Sequence, residues 1–475
     1  MGASNSSPRD QDRPAGAGAS ANESAGASAC AGAGTTRRAV ITWAPLAGSA
    51  AFFAACGGTP GGQTVAAPAP SQPTVELRYA CSAIAAQAPN TYDDARVKMV
   101  EAYNTQQRAS HVTIEWKSGI VQAVTAQVAG GDAPDLVHAH PRDTLGLMVN
   151  GSALALDPYL IKEKKNIPDV TSAALDYWIL DGKRYALPNN YTVQAMYFNK
   201  GLFEKLGLKT PDQHEKDGTW TIDIYLDLAR KLTSGTGETK VWGAPFTSSA
   251  LDIQLAFIWP FGGDLWDKTA TSTLLDSKES VEAIQFMADL TGKLGVSPTP
   301  DEVKTLPRAV GGAISTERGG MEVLTTDVLG LLTPTTFAKG MAPMPKGRAG
   351  RVVRGAPIGI HLMKGSKQLD AAWDAANFQS GLEAEKLMLQ WRITVPWHKS
   401  TLTAPATANM MLPWESAAYY TESVNKTRPT AYPPSFVDIN RLYGTAFAAV
   451  RDGQKSAQLA VTEIRQQVND LLKKK

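Results

Sequence analysis

The sequence predicts an α/β fold, with a mostly parallel sheet covered by helices, on two observations. Strand-like and helix-like stretches alternate from Thr74 onward, and about 400 residues lie beyond the N-terminal segment, ample for two substantial domains. The run from Val75 to Tyr79 alternates apolar and polar residues as a strand does. Tyr92, Ala95, Met99 and Tyr103 then recur three or four apart and mark an amphipathic helix. His111 to Trp116 returns to a period of two, and Ile120 to Val128 is helical again. Gly130-Gly131-Asp132-Ala133-Pro134 turns into a third strand from Asp135 to His138. Ligands of such sheets sit beyond the carboxyl ends of the strands, which draws attention to Cys81, Ser82, Asp135, His138 and His140.

A second region begins near Tyr191. Helical patterns cover Thr221 to Leu232 and Ser280 to Leu290, the latter with Val281, Ile284 and Met287 on one face. Between them, Trp259-Pro260-Phe261-Gly262-Gly263-Asp264-Leu265-Trp266 reads as an aromatic, glycine-rich loop. Ser366 to Asp370 precedes an alanine-rich helix carrying Trp373 and Phe378. Ala457, Val461, Ile464, Val468 and Leu471 form the inner stripe of a C-terminal helix. No fixed-period repeat is present.

The N-terminal part reads differently. Residues 1–34 are mainly Gly, Ala, Ser, Asn and Pro, a composition that builds no core and predicts a disordered extension. Thr35-Thr36-Arg37-Arg38 and the apolar stretch from Ala39 to Ala55 form a secretory signal over 35–55; at 17 residues the stretch is short for a membrane span. Either translation starts downstream of Met1 or the signal has a long n-region. Arg37 and Arg38 are an export-signal pair that fits twin-arginine as well as general secretion. Phe53-Ala54-Ala55-Cys56 resembles a bacterial lipobox, which implies a diacylglyceryl group on Cys56. Gly57 to Gln63 and Ala66 to Pro73 combine glycine flexibility with proline extension, a tether over 56–73. Of three cysteines, Cys30 would be lost and Cys56 acylated, which leaves Cys81 as a lone thiol and no internal disulfide. The net charge of +2 falls near +1 once the four arginines and three acids before Cys56 are removed. With no basic tract interleaved with aromatics, nucleic acid is not an expected partner.

From Asp181 a family likeness emerges. Asp181-Gly182-Lys183-Arg184-Tyr185-Ala186-Leu187-Pro188 is followed by Met196 to Leu208, then Pro211 and Thr219-Trp220. Phe261-Gly262-Gly263, Ala342-Pro343-Met344-Pro345, Gly359-Ile360, Lys364 to Lys367 and the stretch from Gly453 to Leu472 continue the series. Together they resemble the family 1 extracellular solute-binding proteins of bacterial ABC importers, the sugar-binding class that includes maltose-binding protein. Residues 302–323 depart from the family pattern and carry no site expectation. The resemblance implies a periplasmic-binding-protein-like clamp, two lobes each with a central sheet flanked by helices, joined by hinge crossings. It places crossings near Tyr185–Gln194, Val352–His361 and Pro429–Pro434. Lobe 1 would hold 74–188 plus 355–430, and lobe 2 would hold 189–354 plus 431–475. It further implies a monomer that delivers a carbohydrate to permease subunits driven by a cytoplasmic ATPase, with no cofactor.

Ten of the eleven tryptophans lie beyond Cys56, and a sugar clamp needs flat aromatic faces beside polar partners for hydroxyls. Trp259 and Trp266 rank first because they flank a Gly-Gly turn, followed by Trp397 and Trp414 in proline-containing stretches and by Tyr191 at the first crossing. Any one of these could equally be a core residue. Asp135, Asn190, Asp264, Glu415, His138 and Ser82 are the polar candidates; Arg351 and Arg354 add the option of an acidic ligand. His138 and His140 do not predict a metal, since Pro141 ends the strand and zinc needs a convergent set of ligands. No nucleophile elbow, zincin motif, phosphate loop or dinucleotide fingerprint is present, and no carboxylate pair stands out for glycoside hydrolysis. Reversible binding without catalysis is the expectation, ahead of a tethered sensor or adhesion module and of a secreted glycosidase. For the anchor the expected outcome is specific: Cys56→Ser moves the protein from the membrane fraction to the soluble one, and unchanged membrane association would rule out acylation.

Overall fold

The computed structural model describes residues 74–82, 91–106, 109–163, 169–307, 311–326, 332, 335–402, 405–409 and 411–474. The expected extension, signal and tether, with Arg37, Arg38 and Cys56, lie outside the described residues. Ten strands are present among the described residues: β1 (Val75–Ser82), β2 (Ser110–Lys117), β3 (Leu136–Ala139), β4 (Ile179–Leu180), β5 (Lys183–Arg184), β6 (Leu187–Asn199), β7 (Met321–Thr325), β8 (Lys339–Ala342), β9 (Val353–Leu362) and β10 (Thr427–Arg428).

Strand order runs β2-β1-β3-β9-β6-β7, with β10 on β9, β8 on β6, and β4 paired with β5 alone. β1 is parallel to both β2 and β3, as the helical crossovers Thr91–Gln106 and Ile120–Ala129 require. The expectation of a mostly parallel sheet stops there. β9 and β6 pair antiparallel to each other, and β9 pairs antiparallel to β3, because β9 returns to the first sheet from the opposite direction. β6 serves two sheets in sequence. Its residues Leu187 to Val193 pair with β9, and Gln194 to Asn199 pair with β7 and β8. Two lobes of α/β structure result, each a sheet flanked by helices.

All thirteen residues of β6 are buried, so it reads as an unbroken apolar-to-neutral run rather than an alternating one. The first sheet is covered on both faces, by a cluster around Leu77, Tyr79, Tyr103 and Trp373 and by another around Val124, Val137, Leu147 and Trp178. The second lobe packs Phe198, Trp220, Phe257, Ile284, Phe447 and Val461 into one core. A further cluster runs along β6 itself, where Tyr191, Val193 and Tyr197 meet Trp397, Tyr419 and Tyr420. Close approach is essential here. A Cβ on Gly355 of β9 would lie 2.1 Å from the Tyr191 hydroxyl, so only glycine lets the tyrosine cross beneath that strand.

The segment read as a loop from Trp259 is in fact the end of a helix, Leu251–Phe261. Every residue from Leu251 to Pro260 except Ile253 is buried, so there is no polar face to reveal the helical period. Gly262, at φ 95°, ends it in the left-handed conformation.

His361 on β9 is fully buried and meets Trp178 edge-on at 6.2 Å between ring centres. Burial pushes its imidazole down to about 3, so it is neutral in the folded chain but protonates near pH 6.5 when unfolded. Its contribution is complete above about pH 6.5 and is lost as pH falls toward its folded value, at roughly 1.4 kcal/mol per pH unit. Denaturant titrations between pH 7 and 4 should therefore show falling stability, with a shallower slope for His361→Leu. An identical slope in the variant would contradict this origin.

Candidate functional site

The carboxyl ends of β1 and β3 open on a cavity of about 380 Å³ between the lobes. The first lobe contributes Ser82 at the end of β1, Arg96 from the second turn of the following helix, and His138 from β3. His140 and the helix Pro141–Val149 add Arg142 and Asp143. Thr192 of β6 and Arg354 of β9 come from the strands that run between the lobes, while Ile253 and Thr325 close the second-lobe side. Chain direction explains the convergence. Each β-strand-to-helix turn of the first sheet delivers its polar residues to the same edge, where the crossing strands pass.

One wall is organised by Asp252, whose side chain is fully buried at the start of the helix Leu251–Phe261. Its Oδ2 accepts from Arg354 Nη2 at 2.6 Å, from Arg142 Nη1 at 3.2 Å and from the Tyr432 hydroxyl at 3.3 Å. Burial alone would push this carboxyl up. Arg354 and Arg142, with the Tyr432 hydroxyl, overcome that and hold it well below the usual carboxylate range. Arg354 also approaches His140 Nε2 at 3.4 Å, and the His140 and Tyr432 rings meet edge-on at 5.4 Å. Asp252 Oδ1 and Arg354 Nε are buried with no protein partner, one an acceptor and the other a donor.

The histidines here are neutral. Burial lowers His138 well below its ordinary value, Arg96 adds to the effect, and its Nε2 bonds to Asn189 Oδ1 at 2.8 Å. Burial, Arg142 and Arg354 lower His140 in the same way, although part of its surface stays open; it also caps the next helix by accepting from the Arg142 amide at 3.2 Å. Burial pushes the Asp143 carboxyl up, against the pull of Arg142. Among the described residues no group of three or more His, Cys, Asp or Glu is arranged to hold a metal.

Of the residues chosen from sequence, Ser82, His138 and Arg354 line the cavity, and His140 does as well. The others lie elsewhere. Trp259 and Trp266 are in the second-lobe core, with indole N–H groups bonded to Asp264 Oδ1 at 3.0 Å and to the Ala431 carbonyl at 2.8 Å. Asp264 spends its carboxylate on Trp259, the Leu265 amide and Arg428. Trp397 and Tyr191 are fully buried along β6, and Trp414 packs at the border of the same cluster, edge-on to Tyr197. Asn190 is buried and donates to the Ile393 carbonyl at 2.6 Å. Glu415 ties a loop together through Arg392, the Leu412 amide and the Tyr420 hydroxyl. Asp135 precedes β3 rather than ending it; it accepts from the Arg78 amide and Ser366 at the far edge of the sheet. Arg351 pairs with Glu215, away from the cavity. Arg96, Arg142, Asp143, Thr192 and Thr325 were not singled out from sequence. Arg142 and Asp143 had a usable signal, since they follow directly on the third strand.

Comparison with known proteins places this geometry. The model of the family described as bacterial extracellular solute-binding protein matches residues 89–386. A Brucella abortus protein described as a binding protein is 25% identical over 325 residues, covering 67% of this chain and 75% of the relative. An ABC substrate-binding protein of Listeria monocytogenes, solved with cycloalternan, superposes with a TM-score of 0.73 at 20% identity, covering 84% of this chain and 99% of that one. The GacH receptor of Streptomyces glaucescens, studied unliganded and with acarbose, gives 0.71 at 18% identity, covering 85% and 100%. UgpB of Mycobacterium tuberculosis, solved with glycerophosphocholine, gives 0.70 at 16% identity, covering 84% and 98%. These structural likenesses bear on the fold.

Proposed function

This chain belongs to the bacterial extracellular solute-binding protein family, whose members bind without catalysis, and we propose that it is the carbohydrate-capturing component of an ABC importer. The solute sits in the cavity between the lobes, contacts both, and favours the closed clamp through its greater affinity for that form. The closed clamp then presents the solute to a membrane permease. Acylated Cys56 and the Gly/Pro-rich tether keep it at the outer face of the membrane.

The observation that supports this reading best is the lining of the cavity. Three arginines, two neutral histidines, a carboxylate and three hydroxyls face it, alongside the apolar Ala139, Ile253, Ala356 and Ile358. Sugar hydroxyls both donate and accept, so they can satisfy such a wall. An apolar solute would leave these groups stranded. Cycloalternan, acarbose and glycerophosphocholine, the compounds bound by the structural relatives, all carry at least two hydroxyls. A volume of about 380 Å³ is at the small end for a ligand site, so the cavity itself takes one or two sugar rings. The excess of guanidinium over carboxylate in the lining supports a second reading, a hydroxylated ligand with one acidic group.

Calorimetry and thermal shift against neutral mono- and oligosaccharides, uronates and glycerol phosphates test both readings. Ligand at a hundredfold its Kd stabilises the native clamp by about 2.7 kcal/mol, a rise of a few degrees in Tm. A response confined to neutral sugars is the expected result, and one confined to the acids favours the second reading. A flat panel on folded protein would overturn both.

A further inference from the structure

Trp116 is the one exposed tryptophan among the described residues, with 40% of its surface open. Its position is not arbitrary. It lies in the last two residues of β2, the edge strand, at the carboxyl end where the cavity opens. Trp116 pairs in register with Cys81 of β1, and Cys81 pairs with His138 of β3, which lines the cavity. Two strand spacings put the backbone of Trp116 about 10 Å from that of His138 across the sheet. Arg96 bridges the gap. Its guanidinium lies 5.4 Å from the centre of the Trp116 ring, it donates to the Ser82 carbonyl at 3.3 Å, and it lines the cavity.

Every other residue of Trp116's type in the described chain is covered or partly covered by its neighbours, so packing accounts for them. Packing does not account for Trp116. The cation on one face holds the ring in a fixed plane, and the remaining exposed surface is a rigid apolar platform with little rotamer freedom left to lose on binding. A pyranose presents a matching C–H face. Resting on the carbohydrate reading above, we infer that the binding site continues from the cavity past Arg96 onto Trp116, where the indole takes a second or third sugar ring. The solute is then a linked oligosaccharide, with one unit held by the polar cavity and another stacked at its mouth. Arg96 sits under both units and can donate to the glycosidic region between them.

The test compares chain lengths on the same protein. Glucose, maltose and maltotriose, with galactose, lactose and cellobiose in parallel, are titrated into the native chain, Trp116→Ala and Trp116→Phe by calorimetry. The native chain is expected to bind an oligosaccharide at least tenfold more tightly than its monosaccharide. Trp116→Ala should lose about that factor for the oligosaccharide and leave the monosaccharide unchanged, while Trp116→Phe retains part of it. Iodide quenching of native fluorescence should fall on adding the oligosaccharide and not the monosaccharide. Equal affinity for monosaccharide and oligosaccharide, or an unchanged oligosaccharide affinity in Trp116→Ala, would overturn this inference while leaving the carbohydrate reading intact. Absence of binding to every sugar would overturn both.

Discussion

A single buried carboxylate sets the geometry on which the cleft depends. Placing Asp252 out of contact with water costs several kcal/mol, and only convergent positive charge makes that tolerable. The charges come from separate parts of the chain: Arg142 from the first-lobe helix after β3, and Arg354 from β9, with Tyr432 reaching in from the stretch before the helix Phe436–Arg451. One carboxylate oxygen therefore fixes the first lobe, a crossing strand and the second-lobe helix relative to one another. The cavity wall follows from that arrangement, because Arg142 and Arg354 are at once its lining and the partners of Asp252. Low dielectric strengthens these contacts, and it also raises the cost of separating them.

The backbone around this cluster serves the same end. β6 exchanges one set of strand partners for another midway, and β9 runs beside it in the opposite direction. Two adjacent strands can bend together with little change in packing, which suits a hinge better than a broad interface would. The hydrogen bond from Tyr177 to the Gly355 carbonyl at 2.7 Å and that from Gln194 to the Ile253 carbonyl at 3.0 Å brace the pair from either side. Burial keeps the nearby histidines uncharged, so the guanidiniums dominate the field in the cleft without competition from imidazolium.

Much of the fold was legible in the sequence. Period-two runs marked β1 and β2, and apolar stripes marked the helices Thr91–Gln106, Ile222–Leu232, Lys278–Gly292 and Ala457–Leu472. The series from Asp181 onward carried the family. The site was harder to read, for identifiable reasons. Tryptophan side chains are large enough to fill cores, and Trp259 and Trp266 do so; the helix that holds Trp259 is buried almost all round, its polar Asp252 and Gln254 included, so it has no solvent-facing polar face to distinguish its end from a loop beside a Gly-Gly turn. Asp135 opens the third strand in the sequence reading as in the structure, where it immediately precedes β3, so the rule about carboxyl ends of strands did not apply to it. Asp252 and Arg354 are 102 residues apart, and nothing local to either betrays the pair. Ser82, His138 and His140 were found by the one rule that depends on topology alone, that ligands gather where parallel strands end.

The central claim is that Asp252 couples the lobes through Arg142 and Arg354. It is tested most directly by the interlobe distance measured between spin labels at Asp132→Cys and Lys304→Cys, both exposed positions, in a background with Cys30, Cys56 and Cys81 all replaced by alanine. With Asp252 intact the distance distribution should be narrow without ligand; Asp252→Ala, which leaves two buried or half-buried guanidiniums facing each other, should broaden it and move it outward. An unchanged, narrow distribution in the variant would show that the lobes are held by something else, and would contradict the account.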